Sequence, residues 1–405
     1  MTGRAVTGST SGSGPTVDPE FLNDLLRSLV RIPSVNPALV PGGEGETAIA
    51  RHLADVCRSL GLAVSVEEPA AGRPNVVAVL AGVDPARGRR LLLNGHTDTV
   101  GAAGMRAPFD PVTRGSRLYG RGAVDMKAGL AAMLAAVEAL RAGGRTPAGD
   151  VVLTFAADEE HLSVGSAALA ERLRADGAIV TEPTGLEICI AHKGFVWATI
   201  RTEGRAAHGS DYANGIDAIA RMGRVLEAME RLEREVLPRR VHPLLGRPSL
   251  HASVIRGGEG LSTYPPSCEL QVERRTLPGE TEAAVRGEYE ALLGRLREDD
   301  ATFRASLEVT GARPALEADR NADVVAALSQ AYAAVCGAAP AYTGAPYWTD
   351  AALFAGAGIP AVLFGPAGAG AHAEEEYVEL ESAAACAQVL VHTIERFCGG
   401  NSAAR

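Results

Sequence analysis

The chain lacks the features that mark secreted, membrane-spanning and nucleic-acid-binding proteins. Its six cysteines are scattered over 405 residues without a Cys-x-x-Cys pair, so we expect reduced thiols and a cytoplasmic location. The most apolar helix predicted, over residues 126–140, is too short to span a bilayer and contains Lys127 and Glu138. The net charge of −10 leaves no basic excess, which argues against nucleic acid or an anionic membrane as a partner.

The beginning of the sequence also lacks an apolar segment. Residues 1–15 are rich in Gly, Ser and Thr and contain no apolar run of the kind found in a signal peptide. We therefore predict a disordered tail over residues 1–17. The rest of the chain is longer than a chain with a single hydrophobic core usually is, so two domains are expected.

The order of predicted strands and helices changes twice along the chain. In residues 18–191 and 313–405 they alternate, which predicts an α/β sheet covered by helices on both faces. Residues 192–312 have the order β-α-β-β-α-β, typical of the ferredoxin-like fold, and the extended run before its first helix is predicted over 187–202. The simplest organisation is a discontinuous α/β domain that carries an inserted α+β domain.

The apolar strand at residues 89–94 ends at Asn94-Gly95 and is followed by His96 and Asp98. Residues two apart on extended backbone point to the same side. An imidazole and a carboxylate therefore leave a buried strand together, which suits a metal ligand and a carboxylate that orients it. An ordinary polar loop is the alternative for this motif considered alone.

Similar polar residues follow the other predicted strands of the α/β domain and the loop at residues 119–124. They are Asp125 after residues 119–124, Asp158, Glu159 and Glu160 after the strand at 150–155, Glu182 after the strand at 178–181, and His372 after the strand at 361–364 and a glycine-rich loop at 365–371. The carboxyl ends of strands in open α/β sheets form the ligand crevice. Asp125 by itself could simply cap its helix, but this does not explain the whole set.

So many carboxylates at one edge require a cation, because like charges raise each other's pKa values. Mixed histidine and carboxylate ligands suit Zn²⁺, and Mn²⁺ or Co²⁺ also fit. The ligands outnumber those of one tetrahedral ion, whereas two ions about 3.5–4 Å apart with a shared carboxylate would use all of them. Glu159 and Glu160 are neighbours whose side chains diverge on irregular backbone, so one can bind metal while the other faces the bound water.

These motifs resemble those of the M20 metallopeptidase family, which includes acetylornithine deacetylase, succinyl-diaminopimelate desuccinylase, aminoacylase and glutamate carboxypeptidase. The resemblance covers nearly all of the chain after about residue 20. The matching motifs are Gly95-His96-Thr97-Asp98-Thr99-Val100, Gly120-Arg121-Gly122-Ala123-Val124-Asp125-Met126-Lys127, Asp158-Glu159-Glu160, Thr181-Glu182-Pro183 and Gly370-Ala371-His372-Ala373.

The resemblance implies a role for each of these site residues. It assigns the ligands in two sets, His96, Asp125 and Glu182 for one zinc ion and Asp125, Glu160 and His372 for a second. It makes Glu159 the general base and implies that Asp98 orients His96. It also implies a cis peptide bond between Asp125 and Met126.

The inserted segment, residues 192–312, resembles the dimerisation or lid domain of the family and so implies a homodimer. His208 lies in a matching Gly-x-x-x-His-x-Ser motif, which implies that it stabilises the oxyanion in the neighbouring subunit; a loop histidine without function is the alternative. Arg275 and backbone N–H groups near Gly368 are implied to bind a substrate carboxylate. Ser262 stands where many members have asparagine, which leaves the substrate open.

The function implied is that of a dizinc amidohydrolase. It would remove an acetyl- or succinyl-type acyl group from an N-acyl amino acid or a related small amide. A dipeptidase or carboxypeptidase that uses the same site is the first alternative. A catalytically silent binding protein is the second, and the intact set of ligands argues against it.

Overall fold

The computed structural model describes residues 14–102 and 104–399. The chain forms two compact units: unit 1 comprises Met1–Glu187, Asp323–Pro340 and Leu363–Arg405, and unit 2 comprises Ile188–Ala322 and Ala341–Val362. Residues 1–13 of the predicted tail lie outside the described residues. At the end of that tail, Val17 is buried, and its backbone N–H donates to Gln388 Oε1 at 3.0 Å.

Helices are interspersed with strands along the described residues, with five consecutive strands between the second and third helices. The α-helices are α1 Pro19–Arg31, α2 Thr47–Ser59, α3 Ala128–Ala142, α4 Val164–Arg172, α5 Ala218–Arg231, α6 Glu282–Asp299, α7 Asp323–Cys336, α8 Ala351–Gly356 and α9 Leu380–Cys398. The strands are β1 Ala63–Ala70, β2 Arg73–Leu80, β3 Leu91–His96, β4 Val112–Arg114, β5 Arg117–Tyr119, β6 Val151–Ala156, β7 Gly177–Val180, β8 Ile188–His192, β9 Gly194–Glu203, β10 Ser249–Gly257, β11 Ser267–Thr276, β12 Ala305–Arg313, β13 Leu316–Glu317, β14 Tyr342–Ala345, β15 Ala361–Leu363, β16 Gly368–Ala369 and β17 Tyr377–Glu379.

The main sheet of unit 1 contains five consecutive strands in the order β1-β2-β6-β3-β7. Strand β3 runs parallel to both β6 and β7. Every residue of these three strands is buried, in agreement with the continuous apolar runs expected of a parallel sheet covered on both faces. Because the three strands are parallel, their carboxyl ends lie at one edge of the sheet.

Helix α3 is the most buried helix of unit 1, with twelve of its fifteen residues buried. It begins at Ala128, two residues later than the sequence predicts, because the backbone of Asp125 and Met126 is not helical. Its second residue is Gly129, where an added Cβ would lie 2.2 Å from the carbonyl oxygen of Thr181. The absence of a side chain there allows the helix to approach the end of β7.

A second, antiparallel sheet in unit 1 has the order β16-β17-β5-β4. The sequence predicts only a loop over residues 365–371, whereas Gly368 and Ala369 pair with Val378 and Tyr377. A Cβ on Gly368 would lie 2.3 Å from the carbonyl oxygen of Tyr377, so the close pairing requires glycine. These strands have only two or three residues each, too few to show a periodic pattern in the sequence.

Unit 2 contains the predicted ferredoxin-like arrangement. Its four-stranded sheet has the order β10-β11-β9-β12, in which β9 is antiparallel to both β11 and β12. Helices α5 and α6 cover one face, and the core includes Ile200, Met222 and Leu270. The single run predicted over residues 187–202 is instead divided at Lys193 between β8 and β9. The α/β fold with an inserted α+β element is therefore confirmed.

Unit 2 also contains residues 341–362, which the sequence analysis assigned to the α/β domain. They belong here because β14 runs parallel to β8. The catalytic and dimerisation roles of the domains stay predictions.

All six cysteines are free, as expected, and five of them are buried. Among the described residues, we find no helix with both the length and the apolarity needed to cross a membrane.

Candidate metal centre

The carboxyl ends of β3, β6 and β7 bring three predicted site segments together. His96 is the last residue of β3 and is paired with Ala156, the last residue of β6. The turn with Glu159 follows β6, and Glu182 follows β7. Across this edge, His96 Nε2 lies 3.0 Å from Asp125 Oδ1 and 3.7 Å from Glu182 Oε1.

The predicted ligands form two groups that share Asp125. One consists of His96, Asp125 and Glu182, and the other of Asp125, Glu160 and His372; in each group the potential ligand atoms lie within 4.8 Å of one another. In the second group, His372 Nε2 lies 3.3 Å from Asp125 Oδ2 and 3.1 Å from Glu160 Oε2. The structure thus brings together the two sets that the resemblance implies, while their function as metal ligands stays a prediction.

The charges of this cluster fit a cation. Burial acts to lower the pKa of His96, but its contacts with Asp125 and Asp98 outweigh burial and raise the pKa well above 6.5. Hydrogen bonds with Asp125 and Glu160 raise the pKa of His372 to about 10. The carboxylates therefore draw protons onto both imidazoles, and a divalent ion satisfies the same need for positive charge.

A second observation supports the same conclusion. Glu160 Oε1 is buried and has no hydrogen-bond partner, and burial raises the pKa of this carboxyl. Buried polar atoms without a partner are rare in folded proteins, and a bound ion is one explanation for such an atom. Together with the donor set of two histidines and three carboxylates, this shows that the residues fit divalent metal ions.

Asp98 is buried beside His96, but its carboxylate makes its closest contacts elsewhere. His96 Nδ1 lies 3.0 Å from the backbone oxygen of Asp98 and 3.6 Å from the carboxylate. The carboxylate accepts hydrogen bonds from Asn36 Nδ2 at 2.8 Å and from the backbone N–H groups of Glu159 and Glu160 at 3.1 and 3.2 Å. Asp98 therefore holds the glutamate turn as well as contacting His96.

The glutamate turn begins at Asp158, whose φ of 69° is unusual for a residue other than glycine. Its carboxylate lies 2.9 Å from Arg73 Nη2 and accepts a hydrogen bond from Asn36 at 3.0 Å. Arg73 in turn donates to Glu46 at 2.8 Å. This buried network supports the backbone from which Glu159 approaches His96, at 4.0 Å between Oε2 and Nε2.

Sequence reasoning missed Asn36, Glu46 and Arg73, which lie far from the glutamate turn along the chain. Their spacing carries no signal that could place them beside Asp158. It also missed Glu376, the third of three consecutive glutamates, of which only this one is buried. The cis peptide bond between Asp125 and Met126, implied by the resemblance, is present.

His208, Arg275 and Gly368 belong to neither of the two ligand groups. Exposed His208, in unit 2, has Nδ1 2.8 Å from Ser210 Oγ, and the next N–H, of Gly209, donates to the carbonyl oxygen of Ser262 at 2.7 Å. Arg275, on β11 of the same unit, pairs with Glu273 at 2.9 Å. Gly368 lies on β16 of unit 1. The predicted substrate-binding and oxyanion roles of His208, Arg275 and Gly368 stay predictions.

Comparison with known proteins adds the family. The model of Peptidase family M20/M25/M40 matches residues 92–396. Acetylornithine deacetylase from Myxococcus xanthus is 33% identical over 339 residues, covering 80% of this chain and 84% of that protein. Aminopeptidase PepT from Bacillus cereus has a similar structure, with a TM-score of 0.79 and 21% identity over 94% of this chain and 99% of its own.

A second similar structure is described as a dinuclear metal binding peptidase of the M20 family, the YXEP protein of Bacillus subtilis. It has a TM-score of 0.72 and 15% identity, covering 93% of this chain and 97% of its own. The fold, the site and these matches define the protein as a hydrolase of amide bonds, as predicted. The chain belongs to peptidase family M20/M25/M40.

Proposed function

We propose that the protein is a dizinc amidohydrolase that removes the acyl group from an N-acyl amino acid. The observation that carries the proposal is that Asp125 is shared by two potential ligand groups, beside the carboxylate of Glu159. The relative named acetylornithine deacetylase, which matches four-fifths of this chain, supports an acylated amino acid as the substrate. We propose that the acyl group is of the acetyl or succinyl type.

In this proposal His96, Asp125 and Glu182 hold one Zn²⁺, and Asp125, Glu160 and His372 hold the other. Co²⁺ or Mn²⁺ are possible substitutes, since histidine and carboxylate ligands suit all three ions. Ions bound in these groups would acidify the attacking water and polarise the substrate carbonyl.

Glu159 performs the proton transfers in this mechanism. Its carboxylate accepts the proton of the attacking water and then delivers it to the nitrogen of the leaving amine. The hydrogen bond from the Glu159 N–H to Asp98, at 3.1 Å, keeps the backbone of this base in place. Without such support the proton transfer loses efficiency, since it requires hydrogen-bond distance to the reacting atoms.

Three further residues complete the proposed site. His208 stabilises the oxyanion in the partner subunit of a homodimer formed through residues 192–312. Arg275 and the N–H groups around Gly368 bind the carboxylate of the substrate. Unit 1 forms the catalytic domain, and the six free thiols suit a cytoplasmic location.

A dipeptidase or carboxypeptidase that uses the same site is the second candidate. The similarity to the structure of aminopeptidase PepT favours this candidate. Deacylation and peptide hydrolysis both cleave an amide bond to an amino acid, so the same site suits either reaction. Its identity of 21% is below that of the deacetylase from Myxococcus xanthus, at 33%, so we place deacylation first.

The test is a panel of N-acetyl amino acids, N-succinyl amino acids and dipeptides, assayed with the wild type, Glu159→Gln and the exposed control Glu171→Gln. We expect acyl amino acids to be cleaved fastest, and Glu159→Gln to lower kcat by about 10²–10⁴-fold because the general base is lost. Faster cleavage of dipeptides would favour the second candidate. Undiminished activity of Glu159→Gln would show that Glu159 is not the base.

A further inference from the structure

Glu376 is buried in unit 1 at 1% exposure, four residues after His372. Its Oε2 accepts hydrogen bonds from Arg121 Nη1 at 2.6 Å and from the Gly122 N–H at 3.0 Å. Its Oε1 accepts hydrogen bonds from the N–H groups of Val124 at 2.9 Å and Asp125 at 3.2 Å. One carboxylate thus binds four donors, all within residues 121–125.

Further contacts join the segments that carry Asp125 and His372. Arg121 Nη2 donates to the carbonyl oxygen of Ala373 at 2.8 Å, directly after His372. The N–H of Gly120 donates to the carbonyl oxygen of Glu376 at 3.1 Å. Strand β17, which begins after Glu376, pairs with β5. The segment with His372 is therefore connected to the Asp125 turn both through the Glu376 side chain and through the backbone.

The Asp125 turn depends on these contacts because it is not held by a regular helix. Asp125 has φ −118° and ψ 95°, outside the helical region, and Gly122 has φ 80°. The N–H groups of the residues that precede a helix have no partner within it. Without the carboxylate of Glu376, the N–H groups of Val124 and Asp125 would lose these partners, and the direction of the Asp125 side chain would no longer be fixed.

We propose that Glu376 is a positioning residue for both metal-ligand groups. By holding the backbone of residues 122–125, it fixes Asp125 between the two groups and sets the affinity of each for a divalent ion. This inference rests on the proposed metal dependence. Because Asp125 belongs to both groups, loss of Glu376 weakens both sites together, whereas loss of Glu182 or Glu160 removes a ligand from one group only.

The experiment is a calorimetric titration of the metal-free full chain with Zn²⁺, repeated with Co²⁺ to follow its visible absorption. Glu376→Gln replaces an acceptor oxygen with an NH₂ group that faces donors. We expect the affinity of both binding events to fall by about 10–100-fold, as is typical when a residue that orients metal ligands is changed. The matched control Glu375→Gln changes an exposed neighbour and should bind as the wild type does.

A second control separates positioning from general loss of stability. Glu280 in unit 2 accepts hydrogen bonds from Arg240, Arg274 and the Leu277 N–H, so Glu280→Gln disturbs a similar network that contains none of the predicted ligands. We expect it to leave metal affinity unchanged. Should Glu376→Gln not fold, Arg121→Lys keeps the charge but loses the pair of contacts to Glu376 and Ala373, and should weaken both sites in the same direction.

The possible results distinguish the inference from the proposed function. A wild-type protein that binds no divalent ion would contradict the metal dependence itself. A wild type with two sites and a Glu376→Gln variant of equal affinity would overturn the role of Glu376. The role of Glu376 would also be overturned if Glu376→Gln weakened only one site, or if Glu280→Gln weakened metal binding as much as Glu376→Gln does.

Discussion

The sequence identified Asp98 as a site residue, but it did not reveal every group that the Asp98 carboxylate contacts. Its position two residues after His96 correctly predicted that the two lie side by side. The pattern gave no sign that the carboxylate also binds the N–H groups of Glu159 and Glu160. These glutamates are more than sixty residues away along the chain, and only the pairing of β3 with β6 brings the two segments together.

The protonation of His372 leads to a prediction about metal binding. Its contacts with Asp125 and Glu160 raise its pKa to about 10, so the imidazole is protonated at neutral pH in the metal-free protein. A metal ion needs the neutral imidazole and must release this proton. We therefore predict that Zn²⁺ affinity increases from about pH 6 to about pH 9, by up to about tenfold per pH unit for each proton released.

Calorimetric titrations in buffers of different ionisation enthalpy measure this proton release directly. The control is His372→Gln, which removes the titrating group together with one ligand and should release fewer protons per bound ion. A Zn²⁺ affinity of the wild type that is independent of pH would show that the metal does not displace a proton from His372.

At the scale of elements, burial decided which strands could be predicted. Strands β3 and β6 are buried along their whole length, and the sequence accordingly shows them as unbroken apolar runs. The short strands β16 and β17 have no such pattern, so the second sheet of unit 1 was missed. The segment between β16 and β17 contains both His372 and Glu376. His372 was predicted from its residue type and its motif, whereas no pattern in the sequence indicated Glu376.

The contact of helix α3 with the end of β7 leads to a prediction about Gly129. A Cβ at this position would lie 2.2 Å from the backbone oxygen of Thr181, and backbone cannot move aside as a flexible side chain can. We expect Gly129→Ala to lower the free energy of unfolding by about 1–3 kcal/mol through overpacking. Because Glu182 follows Thr181, the same change should also reduce metal affinity.

The matched control is Gly287→Ala on helix α6, where an added Cβ meets nothing within 4 Å. Alanine is a better helix former than glycine, so this variant should gain about 0.5–1 kcal/mol. Urea unfolding of both variants measures the difference. Equal stability of the two would mean that α3 has room to shift without cost.

At the scale of the whole molecule, the proposed role of His208 requires a homodimer. If His208 acts in the partner subunit, His208→Ala and Glu159→Gln inactivate different halves of the same composite site. We predict that each variant alone has little activity, while a mixed dimer regains activity because one of its two sites contains both Glu159 and the partner's His208.

Co-expression of the two variants with different affinity tags allows purification of the mixed dimer for assay. Dimers in which both subunits carry the same substitution, purified in the same way, are the control. A mixed dimer no more active than these controls would contradict a role of His208 across the subunit interface, as would a fully active monomer.

The sequence by itself determined the chemistry and the fold class. Its apolar runs end in histidines and carboxylates, and residue type and strand position are local properties that can be read without coordinates. Five segments with complementary ligands were enough to indicate a metal site. The change in the order of elements was enough to indicate the inserted ferredoxin-like element, because hydrophobic periodicity depends only on neighbours along the chain.

Only the tertiary structure decided which residues support these ligands. Arg73, Glu46 and Asn36 meet Asp158, and Glu376 meets the Asp125 turn, through contacts between segments far apart in sequence. Such contacts arise from strand pairing and close packing, and they leave no periodic pattern in any one segment. Of three adjacent glutamates, folding buries Glu376 among four donors and leaves Glu374 and Glu375 exposed.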